Sequence, residues 1–272
     1  MKGISLLFEN SEILLVNKEA GVSVQGGAGV SHPLDEELSR QVGYKVHLVH
    51  RLDKDTAGML IVAKNSAAAA RWMQIIAGKE VVKEYHAVCI GLPRRDGRDR
   101  RDGSIQTEGT LESTVEAHGR IQKAVSRYRL ERRGLVLTPG TGTALPGASG
   151  GGAESGGADR GGSVSGSGVS GVAGPEAVEG IALSFLSIRI ETGRMHQIRI
   201  QTAQAGFPVA GDDQHGDFRT NKLLRKAGIK KLMLAATRLT IPLDGGSRTF
   251  EIPLPPHMQA ALDAYFPPLQ PE

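Results

Sequence analysis

Cysteine is almost missing from this sequence: among 272 residues, Cys89 stands alone. A single thiol excludes an internal disulfide framework and any zinc site assembled from several thiolates. Long hydrophobic runs are missing too, since no apolar stretch approaches the ~20 residues a membrane span needs. The N-terminus has one lysine and then a short apolar stretch broken by Glu9 and Glu12. It lacks the charged n-region, h-region and small-residue cleavage site of a secretory signal. These absences predict a cytoplasmic protein in a reducing setting, with no membrane association. Residues 25–30 are glycine-rich, but no Lys-Ser/Thr pair follows them, so they read as a surface loop and not as a phosphate-binding P-loop.

What is present is a composition of 39% apolar and 23% charged residues, ordinary for a folded globular chain and incompatible with disorder throughout. Glycine is unevenly spread, with 14 of the 36 lying within 138–174. That stretch has no aromatic residue, and its charges are Glu154, Asp159 and Arg160. It cannot bury enough apolar area to offset its ordering entropy. A single domain over 1–272 with a flexible glycine-rich insertion at 138–174 is therefore expected. The formal charge of +4 fits a polyanionic partner without demanding one.

Two short apolar runs around the turn Glu9-Asn10-Ser11-Glu12 set a hairpin at the start, with strands over 4–8 and 13–17. Leu34, Leu38 and Val42 recur at helical spacing. Residues 46–51 read as a short strand and 59–63 as a buried one. A helix over 67–77 is capped by Asn65-Ser66 and closed by Gly78 at C′, with Trp72, Ile75 and Ile76 as its buried stripe. Residues 81–90 form another strand. The run 94–102 (RRDGRDRRD) reads either as a solvated loop or as an RNA-backbone contact. Strands over 124–131 and 182–190 flank the glycine-rich segment, which makes it an overgrown hairpin loop. A helix starts near 195–204, a short helix and a strand occupy 223–239, and 253–256 (PLPP) ends the sheet pattern. The expected class is α+β: a mixed, mostly antiparallel β-sheet with flanking helices.

Four short segments hold nearly all the candidate catalytic groups. In His50-Arg51-Leu52-Asp53-Lys54-Asp55-Thr56-Ala57-Gly58, Arg51 and Lys54 flank Asp53, and nearby positive charge favours a carboxylate. An ionised acid suits a nucleophile or electrostatic stabiliser better than a general acid. Taken alone, the same residues also fit a loop ion pair. Lys83-Glu84-Tyr85 lies on a strand, where a tyrosine serves packing as readily as chemistry. Within 191–199, Arg194, His196, Gln197 and Arg199 crowd donors together in a way that suits phosphate or sugar binding. The fourth segment, 211–216 (GDDQHG), is a tight turn.

In this order the segments resemble the RluA-type pseudouridine synthase family. The likeness rests on HRLDKDT-x-G at 50–58 followed by a strand ending in Ala63-Lys64, and on GR-x-HQIR at 193–199. Asn17-Lys18, Lys83-Glu84-Tyr85 with Ala87 and Gly91, and Gly211-Asp212 support it. The resemblance implies an isomerase that converts uridine in structured RNA (23S rRNA or tRNA) to pseudouridine without cofactor or metal; a monomer is expected. Asp53 corresponds to the family's catalytic aspartate, and Arg199 to the arginine that pairs with it and holds it ionised. Tyr85 corresponds to the tyrosine that stacks on the everted uracil and helps remove the C5 proton. Arg51 corresponds to the residue filling the vacated space. Leu52, Thr56, Arg194, His196 and Gln197 complete the expected substrate-binding set, and structural hydrogen bonds are expected of His50 and His196.

The sequence departs from the family pattern at Glu19, where Pro is usual, and at Ala57, Met195 and His215. It opens on the catalytic hairpin, so no N-terminal S4 RNA-binding domain is expected and RNA affinity falls to the catalytic surface. Two competing classes follow from the same residues: a non-catalytic RNA-binding or ribosome-assembly factor, and a carboxylate glycosidase with Asp55 as its second acid. The composition of 138–174 also generates a test. Replacing that segment with a short turn is expected to leave the melting temperature and pseudouridine turnover nearly unchanged, as checked by calorimetry and a single-substrate rate assay.

Overall fold

The computed structural model describes residues 3–27, 29–94, 104–117, 120–139, 178–243 and 245–268. Residues 1–136 with 181–272 make one compact unit and 137–180 a second. The arginine-rich run, apart from Arg94, and the glycine-rich segment, apart from 138 and 139, lie outside the described residues.

The chain opens with the expected hairpin, β1 (Ser5–Glu9) and β2 (Ile13–Lys18), followed by α1 (Leu34–Val42). Next come β3 (His47–Leu48), β4 (Ala57–Ala63), α2 (Ser66–Ala77) and β5 (Val82–Ile90). Strands β6 (Glu108–Ala117), β7 (Arg120–Pro139) and β8 (Val178–Ile190) lead to α3 (Gln197–Gln204) and α4 (Phe218–Lys226). The chain closes with β9 (Leu234–Leu243), β10 (Gly246–Glu251) and α5 (Pro256–Tyr265). One sheet carries the strands in the order β1-β2-β4-β9-β5-β8-β7-β6, with β10 on β9 and β3 on β4. The β4–β9 pair is parallel and its neighbours β2–β4 and β5–β9 are antiparallel. This is the expected mixed, mostly antiparallel α+β architecture.

Both faces of the sheet are covered, which explains why MLIVA is continuously apolar and does not alternate. Leu14, Val16, Leu60 and Val62 point into one core cluster, and Ile13, Leu15, Met59 and Ile61 point into the other with Trp72. The period-2 split sends successive residues of β2 and β4 to opposite faces. Strand β4 is buried along its whole length, and each fully buried Leu or Ile there contributes about 1.5–3 kcal/mol.

Several local expectations need correction. The strand expected over 46–51 shrinks to His47–Leu48, because the Val46 amide is taken by Ser39 Oγ at 3.1 Å and residues 51–56 turn back on themselves. Asn65 caps α2 by accepting from the Ala68 amide, but Gly78 keeps right-handed helical geometry. The left-handed position falls on Lys79 instead, at φ 62°. Of the expected stripe on α2, Trp72 is fully buried, whereas Ile75 and Ile76 are half-buried. Helix α3 begins at Gln197 and not at 195, because His196 adopts φ 52°. Strands β6 and β10 and helix α5 were not foreseen, and β7 runs on to Pro139, past the expected strand end at 131 and into the first two residues of the expected insertion.

One close approach fixes the strand that emerges from the Asp53 loop. Gly58 has φ 117°, and a Cβ there would lie 2.1 Å from the Ala236 carbonyl oxygen. That contact is possible only without a side chain, because both the conformation and the space exclude one. Gly58→Ala is therefore expected to cost about 3 kcal/mol or more and to lower the melting temperature by roughly 5–10 °C. Met59→Leu, at the next and equally buried position, should cost less than about 1.5 kcal/mol. Thermal denaturation of the two variants side by side checks the difference.

Candidate active site

The loop between β3 and β4 presents its residues in turn. Arg51 is exposed, Leu52 is pegged into the core and Asp53 is half-buried. A turn closes when the Thr56 amide donates to the Asp53 carbonyl at 3.2 Å. Lys18 holds the loop from below. Its side chain is 1% exposed, and Nζ donates to the carbonyls of Lys54 and Val22 at 2.8 Å and of Glu19 at 3.1 Å. Burial pulls the Lys18 ammonium down to about 8 against the attraction of Asp55 and Asp53. His50 is a strut, as expected: its Nε2 accepts from the Ile61 amide at 3.0 Å. Burial, and then the Lys83 charge, push it to about 3, so the ring is neutral.

Facing the loop is α3, sewn to β6 and β7 by two glutamines. Gln197 Oε1 accepts from Thr192 Oγ1 at 2.7 Å and the Arg194 amide at 3.1 Å, and its Nε2 donates to Val125 O and Ser126 Oγ. Gln201 accepts from Ser126 Oγ at 2.6 Å and donates to Ala124 O at 3.0 Å. Between the two glutamines this helix carries Arg199, which is 5% exposed.

Arg199 is bound twice over. Its Nε and Nη2 grip Asp212 at 2.8 and 2.7 Å in a bidentate pair, and Nη2 also reaches Gln214 Oε1 at 3.2 Å. The remaining Nη1 lies 3.5 Å from Asp53 Oδ2. The expected Asp53–Arg199 contact is therefore present, but it is the longer of the two ion pairs. Burial would raise the Asp212 carboxyl, but the Arg199 bonds and the amides of Gln214 and His215 outweigh it and hold the group below the ordinary carboxylate range. His196 stands on the other side of Asp53, with Nε2 at 3.8 Å from Oδ1 and Nδ1 bonded to His215 Nε2 at 2.8 Å.

These groups line a cavity of about 550 Å³, which touches every residue expected at the site: Arg51, Leu52, Asp53, Thr56, Tyr85, Arg194, His196, Gln197 and Arg199. A cavity of this size falls in the range of ligand pockets. Tyr85, on β5, is 7% exposed; burial and then the Asp53 charge raise its phenol, which therefore stays protonated. Thr56 Oγ1 and Arg194 Nε are buried with no partner among the described residues. The Gln197 amide, by contrast, is already engaged at both ends. Glu191 also lines the cavity, but its Oε1 is paired with Arg127 at 2.9 Å. Asp55 is exposed and does not line it. Among the described residues, no group of three or more His, Cys, Asp or Glu side chains could hold a metal ion.

Sequence reading missed Asp212 as a site residue, although it marked the GDDQHG turn. The signal was there: an acid inside a tight turn beside a segment rich in cations. Gly211 makes that turn possible, since it has φ 74° and a Cβ would lie 2.0 Å from the Lys231 carbonyl. Breaking a buried ion pair strands the remaining charge, so Asp212→Asn is expected to cost about 3 kcal/mol at neutral pH. The folded Asp212 carboxyl lies below its unfolded value. Its contribution is thus full above the ordinary carboxylate range and is lost as pH falls through the folded value. The melting-temperature gap between wild type and Asp212→Asn should accordingly narrow from about pH 7 toward about pH 3, as read from melts across that range.

Comparison with known proteins agrees with this arrangement. A family model described as RNA pseudouridylate synthase matches residues 12–204. Ribosomal large subunit pseudouridine synthase C of Pasteurella multocida (strain Pm70) is 28% identical over 264 residues, covering 95% of this chain and 67% of that one. The protein of the same name from Salmonella typhi is 29% identical over 267 residues, covering 95% and 69%. Among solved structures, human RNA Pseudouridylate Synthase Domain Containing 4 superposes with a TM-score of 0.62 at 18% identity, over 95% of this chain and 92% of that one. That structural likeness speaks for the fold. With the family model spanning the Asp53 loop, Tyr85 and Arg199 alike, the chain belongs to the RNA pseudouridylate synthase family and is an RNA pseudouridine synthase.

Proposed function

We propose that Asp53 is the catalytic carboxylate of this synthase and that its substrate is a uridine of large-subunit ribosomal RNA, everted from its helix into the 550 Å³ cavity. One observation carries the reading: the half-buried Asp53 carboxylate faces the cavity with the Arg199 guanidinium 3.5 Å away. The relatives named as large-subunit synthases support the choice of RNA.

The reaction is an isomerisation. The N1–C1′ bond breaks, the uracil turns over, C5 bonds to C1′, C5 loses its proton and N1 gains one. Nothing is oxidised and no atom is added, so the balance needs no cofactor. Asp53 acts at the ribose or the base while Arg199 stabilises its negative charge. Tyr85 packs on the base. As a proton acceptor it would first have to ionise, which burial and Asp53 both oppose, so its aromatic ring matters more than its hydroxyl. Thr56 Oγ1 and Arg194 Nε hydrogen-bond the nucleotide. Gln197 braces the loop that carries Arg194, and Arg51, exposed at the rim, takes the place of the everted base.

The cavity is complete within one chain, which supports action as a monomer. No helix among the described residues is long and apolar enough to cross a membrane.

In a deletion strain complemented with wild type, pseudouridine mapping of total RNA should show a large-subunit rRNA site restored. Asp53→Asn should leave that site unmodified while melting within a few degrees of wild type. Unchanged pseudouridine in the deletion strain would refute the assignment, and a lost site in transfer RNA would move the substrate. Tyr85→Phe should retain far more turnover than Tyr85→Leu, as single-turnover rates will show; equal losses would assign the hydroxyl a chemical role.

A further inference from the structure

Beyond the catalytic cavity, the strongest concentration of charge is a basic surface built by α4 and the residues after it. Between Phe218 and Lys231 the sequence FRTNKLLRKAGIKK carries Arg219, Lys222, Arg225, Lys226, Lys230 and Lys231 and no acid. These six cations exceed the formal net charge of the whole chain, +4. All six are exposed, while Asn221 and Leu224 turn the other face of α4 inward. Arg225 pairs with Asp213. The other five have no side-chain hydrogen bond or ion pair among the described residues. Like charges packed this densely repel one another, and an arrangement without internal acids calls for an external anion.

Position ties this surface to the catalytic site. Lys230 and Lys231 line a second depression of about 240 Å³ with Asp213, Gln214, Asp55 and Arg199. Arg199 thus forms a wall of both hollows. Of the depression's two acids, Asp55 and Asp213, the second is neutralised by Arg225. Phe218 opens α4 with its ring 62% exposed. At i, i+4 and i+7, Phe218, Lys222 and Arg225 share one face of the helix. An exposed aromatic ring among unpaired cations is the combination that binds single-stranded nucleic acid, cations to phosphates and ring to base.

We propose that α4, residues 227–231 and the depression they border dock the RNA strand flanking the everted uridine, with Lys230 and Lys231 on its phosphates and Phe218 under an unpaired base. The inference rests on the reading of the cavity as the uridine site. A nucleotide held beside Arg199 has its neighbour's backbone next to the depression that shares that arginine. The docking surface therefore fixes which strand direction and which flanking structure the enzyme accepts.

The test uses the full chain and an unmodified transcript of large-subunit rRNA, with rates from pseudouridine formation and affinity from anisotropy across a salt series. Lys230→Gln/Lys231→Gln should raise KM about tenfold with kcat within about twofold, because contacts remote from the reacting atoms act on binding. The slope of log affinity against log salt should flatten by roughly 1.4–1.8, the loss expected for two phosphate contacts. Phe218→Ala should weaken binding roughly fivefold or more with the slope unchanged, and equal affinity would overturn the stacking role. Arg40→Gln/Lys45→Gln removes the same charge elsewhere and should behave as wild type; an equal loss there would reduce the effect to net charge and overturn the proposal. An unchanged KM and slope in the lysine variant would also overturn it, leaving the basic helix to an acidic protein partner. A wild type that binds the RNA but forms no pseudouridine would instead count against the uridine-site reading, and anisotropy would still decide the docking surface.

Discussion

A buried guanidinium has to be given its partners before it can do anything else. Arg199 lies under the cavity floor, where an unpaired charge would cost several kcal/mol. Its bidentate grip on Asp212 meets that need, and Asp212 is itself fixed by the Gln214 and His215 amides at 2.9 and 3.0 Å. Only after those bonds are made does Nη1 remain to face Asp53. The 3.5 Å separation there is long for a charge-assisted hydrogen bond, so Asp53 is steadied without being clamped. The catalytic role proposed for Asp53, at the ribose or the base, requires that freedom, and a tight pair like the one with Asp212 would deny it.

The same logic of anchoring from beneath applies to the loop. Lys18 spends its ammonium on three backbone carbonyls, which fixes the path of the chain but leaves the side chains of Asp53, Lys54 and Asp55 unencumbered. Gly58 then lets β4 press against Ala236, and the parallel β4–β9 pair sets the height at which Asp53 leaves the sheet. From the opposite side, Gln197 and Gln201 hold α3 to β6 and β7, so that Arg199 cannot retreat. Rigid elements thus carry both halves of the ion pair across 146 residues of sequence.

How far this was legible depended on whether a signal was local. The β1–β2 hairpin and β4 announced themselves through short apolar runs between turn residues, α1 through helical spacing, and the HRLDKDT and GR-x-HQIR segments through family likeness. Asp212 did not. Nothing near it in the chain says that it will outcompete Asp53 for Arg199, because that outcome depends on burial and on the geometry of a turn. His196 illustrates a different blindness: its left-handed φ interrupts what reads as continuous helix from 195, and the reason is tertiary, since the ring is held between His215 and Asp53. Helix α5 was hidden by its own start. PLPP reads as a terminator, yet Pro256 sits at the first helical position, where proline is well tolerated because no amide is needed there.

The geometry also bears on why the proposed reaction isomerises and does not hydrolyse. Hydrolysis of an O-glycosidic bond characteristically uses a second carboxyl to protonate the leaving group or activate water. Around Asp53, Asp212 is held ionised by Arg199, Glu191 is paired with Arg127, and Asp55 does not line the cavity. Uracil, unlike a free sugar alcohol, also leaves as a stabilised anion and so needs less acid assistance. What it needs is to be kept. In the proposed mechanism the cavity walls, Tyr85 among them, keep the departing base close, so that the freed ring meets C1′ again through C5 before water reaches it. On this reading the outcome of the reaction is decided less by the acid that starts it than by the walls that prevent the base from leaving.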